Sequence, residues 1–391
     1  MITVDEALSR VLALAGPARA EEIPLAEGLG RALVAPVRAR LTQPPFNAAA
    51  MDGYAIRRAD IDQQLQVIGE VAAGRPWAGT SAPGTALRIF TGAPVPAGYD
   101  SVVMQEHVTR DGDLIRVTGP HHNDNIRPQG ADFTEGFEFD PRRPLTPRDL
   151  GLIAAMNVGR LTVARRPRVA IIPGGDELVP PGGRPAPGQI ICSNDIAVAG
   201  IARNAGAEAT ILPIAADNLD SLLDRFSQAA GADLIVTIGG ASVGDHDLIA
   251  QVTGQIGMER AFYRIAMRPG KPLIAGRIGD SAMIGLPGNP VSSIVCTELF
   301  ILPLLRAMQG LPAESRLREG RLGRDLAPEG DRQHYLRASL RRGAGETVVT
   351  PLDDQDSARL GLLAAADALL VRPAGDPARR AGEKVGFLRL D

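Results

Sequence analysis

Cysteine, lysine, aromatic residues and long apolar runs are all scarce in this 391-residue chain, and each scarcity excludes something. Cys192 and Cys296 are the only cysteines, so the chain has no disulfide framework and no C-x-x-C metal pair, and a reducing, cytoplasmic setting is expected. Lysine is confined to Lys271 and Lys384, while the rest of the 42 basic residues are arginine. A skew that global reflects coding bias and not a binding patch. The longest strongly apolar stretches, such as LFILPLL at 299–305, fall far short of the roughly 20 residues of a membrane span. Asp5 and Glu6 stand where a signal peptide would carry positive charge. An excess of charge of either sign is also missing. The formal net charge is −3 with acids and bases interspersed, which argues against nucleic acid and against a basic membrane patch as partners. Small-molecule chemistry is the reading left.

What the chain has in quantity is glycine (44) and proline (31), with 45% hydrophobic residues. That composition builds globular domains rich in turns, and the length suggests two to four of them. The expected fold class is multidomain α/β. Residues 1–43 and 141–167 read as a connecting domain of helix and extended chain, with Val4, Ala7, Leu8 and Val11 at helical spacing and Thr146–Pro147 as a helix start. Residues 44–140 hold short strands bounded by Gly, Pro and Asp and read as a small β domain. In 168–313 apolar strands alternate with helical segments, which predicts a parallel sheet covered by helices in three layers. Residues 314–391 return to strands and read as a small β-barrel.

In a parallel sheet, ligands bind at the carboxyl ends of the strands, and the chemistry collects there. DLIVTIGGASVGDHD (233–247) runs a buried strand into Gly239, Gly240, Ser242, Gly244, Asp245 and Asp247. Glycines after a strand let backbone N–H groups approach a phosphate, and phosphate beside carboxylates calls for Mg²⁺. The segment is neither a Walker A loop nor a G-x-G-x-x-G fingerprint, and a tight turn with an Asp cap is the alternative. PGGDEL (173–178) brings Asp176 and Glu177, and ILPIAAD (211–217) brings Asp217, to the same predicted rim. Oxygen-only donors from several strand ends suit a hard divalent cation. RPGKP (268–272) carries Lys271, a compact ammonium that guanidinium does not mimic at an anion site. In GLPGNPVS (285–292), Asn289 and Ser292 can cap the following helix or bind an anion, and capping is the simpler reading. Cys192 reads as a small buried residue and His121–His122 as a surface loop.

Taken in order, PPFNAAAMDGYA, RIFTGAPVPAG, VVMQE, NIRPQGADF, PGGDEL, GQIICSND, GGASVGDHD, RPGKP and GLPGNPVS resemble the molybdopterin molybdenumtransferase family, the MoeA-type enzymes related to the C-terminal domain of gephyrin. The resemblance spans nearly the whole chain. It implies an elongated homodimer in molybdenum-cofactor biosynthesis that takes adenylylated molybdopterin and molybdate with Mg²⁺ and releases AMP. Partners of such an enzyme include a molybdopterin adenylyltransferase and apo-molybdoenzymes. By position, the resemblance implies catalytic roles for Asp52, Asp132, Glu177, Asp217, Asp247 and Lys271, with Glu177, Asp245 and Asp247 toward the metal. It implies substrate binding by Thr91, Ser193, Asn194, Gly239, Gly240, Ser242, Gly244, Arg268, Pro287, Gly288, Asn289, Arg337 and Ser357. The chain departs from the family pattern at Ala49 (usually Ser), Gly174 (usually Thr), Ile191–Cys192 (usually Tyr-Asp) and Arg268 (often Lys). A non-catalytic molybdopterin-binding scaffold and a tungstate-inserting paralogue are the alternatives.

Overall fold

The computed structural model describes residues 1–240, 248–312, 316–343 and 345–390, and it divides into two compact units. One comprises Glu22–Leu29 and Ala35–Val163; the other comprises Met1–Glu21, Gly30–Val34 and Ala164–Asp391.

In the first unit a six-stranded sheet runs in the order Ser101–Met104, Gly53–Ile56, Thr85–Ile89, Gln64–Val71, Leu114–Val117, Val108–Asp111. Its pairings are antiparallel except between Gln64–Val71 and Thr85–Ile89. Alternation places Ile56, Leu65, Val103 and Ile115 in one apolar cluster and Ala55, Val71, Leu87, Ile89 and Val102 in another. A two-residue ladder pairs Ala48–Ala49 with Ile126–Arg127 and so pins the segment that leads to Asp52. The helix Pro147–Ala155 starts where the sequence predicts. Both the N–H (2.6 Å) and the hydroxyl (2.7 Å) of Thr146 donate to Asp149 Oδ2, a capping arrangement with Pro at the first helical position.

The second unit is built on a six-stranded sheet in the order Glu208–Ile211, Arg168–Pro173, Leu234–Ile238, Ser281–Leu286, Pro272–Ile278, Glu259–Arg264. The first four strands are parallel, as expected from the βα alternation. The last two pair antiparallel, so the predicted parallel sheet is a mixed one. The apolar run of Pro272–Ile278 looks locally like that of a parallel strand. It is the short turn at Gly279–Asp280, too short for a helical crossover, that reverses the chain. Helices cover both faces: Leu222, Phe226, Ile249 and Val252 pack on Ala170, Ile172, Ile235 and Met283, and Val198, Val295 and Phe300 pack on Ile171, Val236 and Ile284.

The helix Pro290–Met308 is 19 residues long and, by length and composition alone, apolar enough to cross a bilayer. Sequence runs had suggested nothing so long, because Glu298 and Arg306 interrupt them. Here the helix is a core element. Phe300, Ile301 and Leu304 are fully buried, and buried Glu298 accepts from Arg316 at 2.6 Å. The N-terminal helix Val4–Leu12 lays Val4, Ala7 and Val11 into the same core.

The expected barrel forms the C-terminal part of this unit. Gln333–Gly343 pairs with both Glu346–Pro351 and Ala368–Arg372, and Leu317–Leu322 and Lys384–Arg389 complete the ring. Five strands close around Leu322, Leu336, Ala338, Val349, Leu370 and Phe387.

Candidate functional site

Two parallel strands of the second unit run directly into glycine and a third reaches one after Pro287, and the reason is spatial. Gly239 follows Leu234–Ile238 with φ 84°, and a Cβ there would lie 2.6 Å from the carbonyl oxygen of Gly174, which follows the neighbouring strand. Only glycine combines that backbone with that approach. A Cβ on Gly288 would lie 3.7 Å from Gly239 Cα, so the third strand end meets the other two. Above these ends lies a cavity of about 520 Å³, whose wall includes Gly174, Glu177, Asn194, Gly239, Gly288 and Ala358. Three other cavities among the described residues line the opposite, amino ends of the strands around Asp233 and Arg168. The carboxyl end is the one where α/β sheets bind ligands.

The acidic rim is held by the backbone. Asp217 N–H donates to Asp176 Oδ1 at 3.1 Å, and Asp176 N–H donates to Asp217 Oδ2 at 3.4 Å, so the two strand-end loops are reciprocally tied. Glu177 and Asp217 are both exposed. Asp176, which the sequence places at the same sheet edge as Glu177, is the residue that joins the two loops. Ser242, Gly244, Asp245 and Asp247 lie outside the described residues. No group of three metal-ligating side chains occurs among the described residues. The described donors on this rim, Asp176, Glu177 and Asp217, are all carboxylates, the oxygen ligands that a hard divalent cation takes.

Two side-chain amides in the cavity wall brace three loops. Asn194 Nδ2 donates to Gly288 O at 2.7 Å, and Asn289 Nδ2 donates to Ser357 Oγ at 3.0 Å. The reading of Asn289 as a helix cap is thus corrected, since its amide reaches the barrel loop and makes no capping bond. Ser193 is half-buried beside Asn194, and Pro287 is buried at the strand end. Arg268 is exposed and sits in a short parallel ladder opposite His334. Lys271 is exposed, makes no ion pair with any described residue, and precedes Pro272 in the cavity wall. Arg337, expected to meet substrate, is 1% exposed and directs its guanidinium at backbone carbonyls of Asp354 and Asp356. Ser357 directly follows the second of these, Asp356.

Cys192 is buried, and burial first, then the Asp195 carboxylate, push its thiol up to about 12. A thiol so perturbed is no nucleophile at neutral pH.

In the other unit, Asp52 and Thr91 form a tight pair. The backbone N–H and the hydroxyl of Thr91 each donate to Asp52 Oδ1 at 2.8 Å, and the backbone bond leads in holding the carboxyl below its ordinary range. Asp132 is exposed, with its own N–H bonded to Gln43 O at 3.1 Å.

Comparison with known proteins bears on all of these segments. Residues 2–157 match the family described as MoeA N-terminal region (domain I and II), 170–307 a probable molybdopterin binding domain, and 319–390 the MoeA C-terminal region (domain IV). A molybdopterin molybdenumtransferase of Nostoc is 34% identical over 377 residues, covering 92% of this chain and 86% of its own. Molybdopterin molybdenumtransferase 2 of Mycobacterium tuberculosis is 38% identical over 376 residues, with 90% of each chain covered. The crystal structure of the molybdopterin biosynthesis MoeA protein of Pyrococcus horikosii matches with a TM-score of 0.86 at 29% identity, covering 100% of this chain and 99% of that one.

Proposed function

This chain belongs to the MoeA family of molybdopterin molybdenumtransferases, transferases of molybdenum-cofactor biosynthesis, and from that premise we propose that it inserts molybdate into adenylylated molybdopterin in a Mg²⁺-dependent reaction that releases AMP. The observation that supports this most is the cavity at the carboxyl ends of the parallel strands, lined by glycine backbone together with the Glu177 carboxylate and amide and hydroxyl side chains.

The floor suits the phosphoanhydride. At Gly239 and Gly240 the chain has positive φ and no side chain, so phosphate oxygens can reach backbone N–H groups. Lys271 brings a point charge on a flexible stem to a substrate whose negative charge grows as the anhydride breaks. Glu177, with Asp217 or Asp176, would hold Mg²⁺. When bound, that ion supplies neutralisation of the phosphate oxygens as water cleaves the anhydride. Asn289 and Ser357, bonded to each other, would offer hydrogen-bonding groups to the tetrahedral oxyanion. In our reading the functional protein is a cytoplasmic homodimer, and Asp52, Thr91 and Asp132 of one protomer serve the cavity of its partner.

The experiment is to incubate the chain with adenylylated molybdopterin, molybdate and MgCl₂ and to follow AMP and molybdenum-loaded cofactor. Molybdate-dependent appearance of both is the expected result. Binding of the substrate without AMP release would mark a scaffold and overturn the reading.

A further inference from the structure

We propose that Gln355 is a positioning residue of this site: it locks the Arg337 guanidinium and residues 352–357 into one register, so that Ser357 presents its hydroxyl hydrogen to the tetrahedral oxyanion substrate. The inference rests on the reading above, in which that oxyanion occupies the Ser357 side of the cavity.

The Gln355 side chain is saturated. Its Oε1 accepts from the Arg337 backbone N–H (2.9 Å) and from Arg337 Nε (3.3 Å), while its Nε2 donates to Arg337 O (3.0 Å) and Leu352 O (2.9 Å). One amide thus holds both the N–H and the C=O of a strand residue and the start of the loop, using donor and acceptor capacity that only a primary amide has. Arg337 completes the clamp from below, donating to Asp356 O at 2.7 Å and to Asp354 O at 3.1 Å. This cation is 1% exposed and has no ion pair among the described residues. Its burial is balanced by carbonyl dipoles and by Gln355, and removal of a partner from a buried charge is costly.

The clamp ends at Ser357. The backbone carbonyl of Ser357 accepts from Val291 N–H at 3.1 Å, and its Oγ accepts from the Asn289 amide at 3.0 Å. An amide nitrogen is a donor only, so the hydroxyl must use a lone pair there and keeps its hydrogen for another acceptor. No described residue supplies one, and the next residue, Ala358, forms part of the cavity wall. A tetrahedral dianion is the acceptor the proposal assigns. A small rotation of the loop would turn that hydrogen away while leaving the barrel closed.

The test uses the full chain with Gln355→Ala and Gln355→Glu. Glutamate keeps the shape and the acceptor but loses both donated bonds, and it remains usable if the alanine variant fails to fold. Two quantities are read: amide hydrogen exchange across residues 352–358, and the KM for molybdate separated from kcat. The expected result is exchange about tenfold faster in that loop alone and a KM raised about tenfold with kcat at saturating molybdate within about twofold. Unchanged loop exchange overturns the proposal. So does faster exchange with an unchanged KM, because Gln355 would then be structural only. If the wild-type chain transfers no molybdenum, the proposed function falls. Loop exchange together with calorimetric binding of molybdate alone then decides the role of Gln355 by the same criteria.

Discussion

Gly174 and Gly239 end adjacent strands, yet the same substitution should act on them with opposite sign. At Gly239, φ is 84° and an added Cβ would stand 2.6 Å from Gly174 O. A non-glycine residue in the left-handed region costs about 1–2 kcal/mol. Relieving backbone overlap in a packed strand end adds about 1–3 kcal/mol, so Gly239→Ala should destabilise the chain by about 2–5 kcal/mol. At Gly174 the backbone is not left-handed and the nearest atoms to an added Cβ are 3.9 Å away, at ordinary contact distance. Gly174→Ala should therefore stabilise by about 0.4–1 kcal/mol, through loss of freedom in the unfolded chain. At about 2–4 °C per kcal/mol for a unit of this size, thermal unfolding should show Gly239→Ala falling by about 4–20 °C and Gly174→Ala rising by about 1–4 °C. Equal shifts of the same sign in the two variants would refute the claim that strand-end geometry, and not glycine content, shapes the floor of the cavity.

Four further outcomes follow from the same geometry. Asp149, bound by Arg143 at 2.5 Å and by Thr146, is held far below its ordinary 3.8, so its contribution is complete above about pH 4 and is lost as pH falls below that. Asp149→Asn should cost about 1–3 kcal/mol at pH 7 and flatten the acid limb of the stability profile, measured by urea unfolding at several pH values. For Asp52, carbon NMR of the carboxyl should give a midpoint below 3.8, and Thr91→Ala should raise it only in part, because the backbone N–H donates the larger share. Cys192 and Cys296 are buried with raised thiol pKa values, so iodoacetamide at about pH 8 should label them at under about 1% of the rate seen in denaturant, by mass spectrometry. Lys271 is exposed and makes no ion pair with a described residue, so Lys271→Ala should leave the unfolding temperature within about 2 °C while lowering AMP release about a hundredfold or more. Full activity in that variant would remove Lys271 from the site.

Several parts of the site were legible in the chain because they are local. The strand-to-glycine ends at Gly174 and Gly239, the Thr146–Pro147 helix start and the burial of Cys192 each depend on a few adjacent residues and on backbone preferences acting over one turn. Other parts were not. Pro272–Ile278 carries an apolar run like that of a parallel strand, and only the turn at Gly279–Asp280 and the partner it delivers make the sheet mixed. Asn289 has the residue type and position of a helix cap, but its amide is spent on Ser357, 68 residues away. Asp176 and Asp217 serve each other's backbone across two loops, a relation with no periodic trace.

What the sequence determined by itself is the set of parts: the alternation that requires a sheet covered by helices, the glycines that require close backbone approach, and an ordered series of segments that matches one family along the whole chain. Tertiary structure decided which part meets which. Arg337 shows the difference. By residue type it is a surface cation, and by resemblance a substrate ligand. Closure of the barrel, through pairing of Gln333–Gly343 with strands on both sides, buries it and aims its guanidinium at the loop that carries Ser357. Residue type fixes how many hydrogen bonds a side chain can make. Only contacts between residues distant in the chain fix which groups receive them, since those contacts exist once the intervening segments have folded.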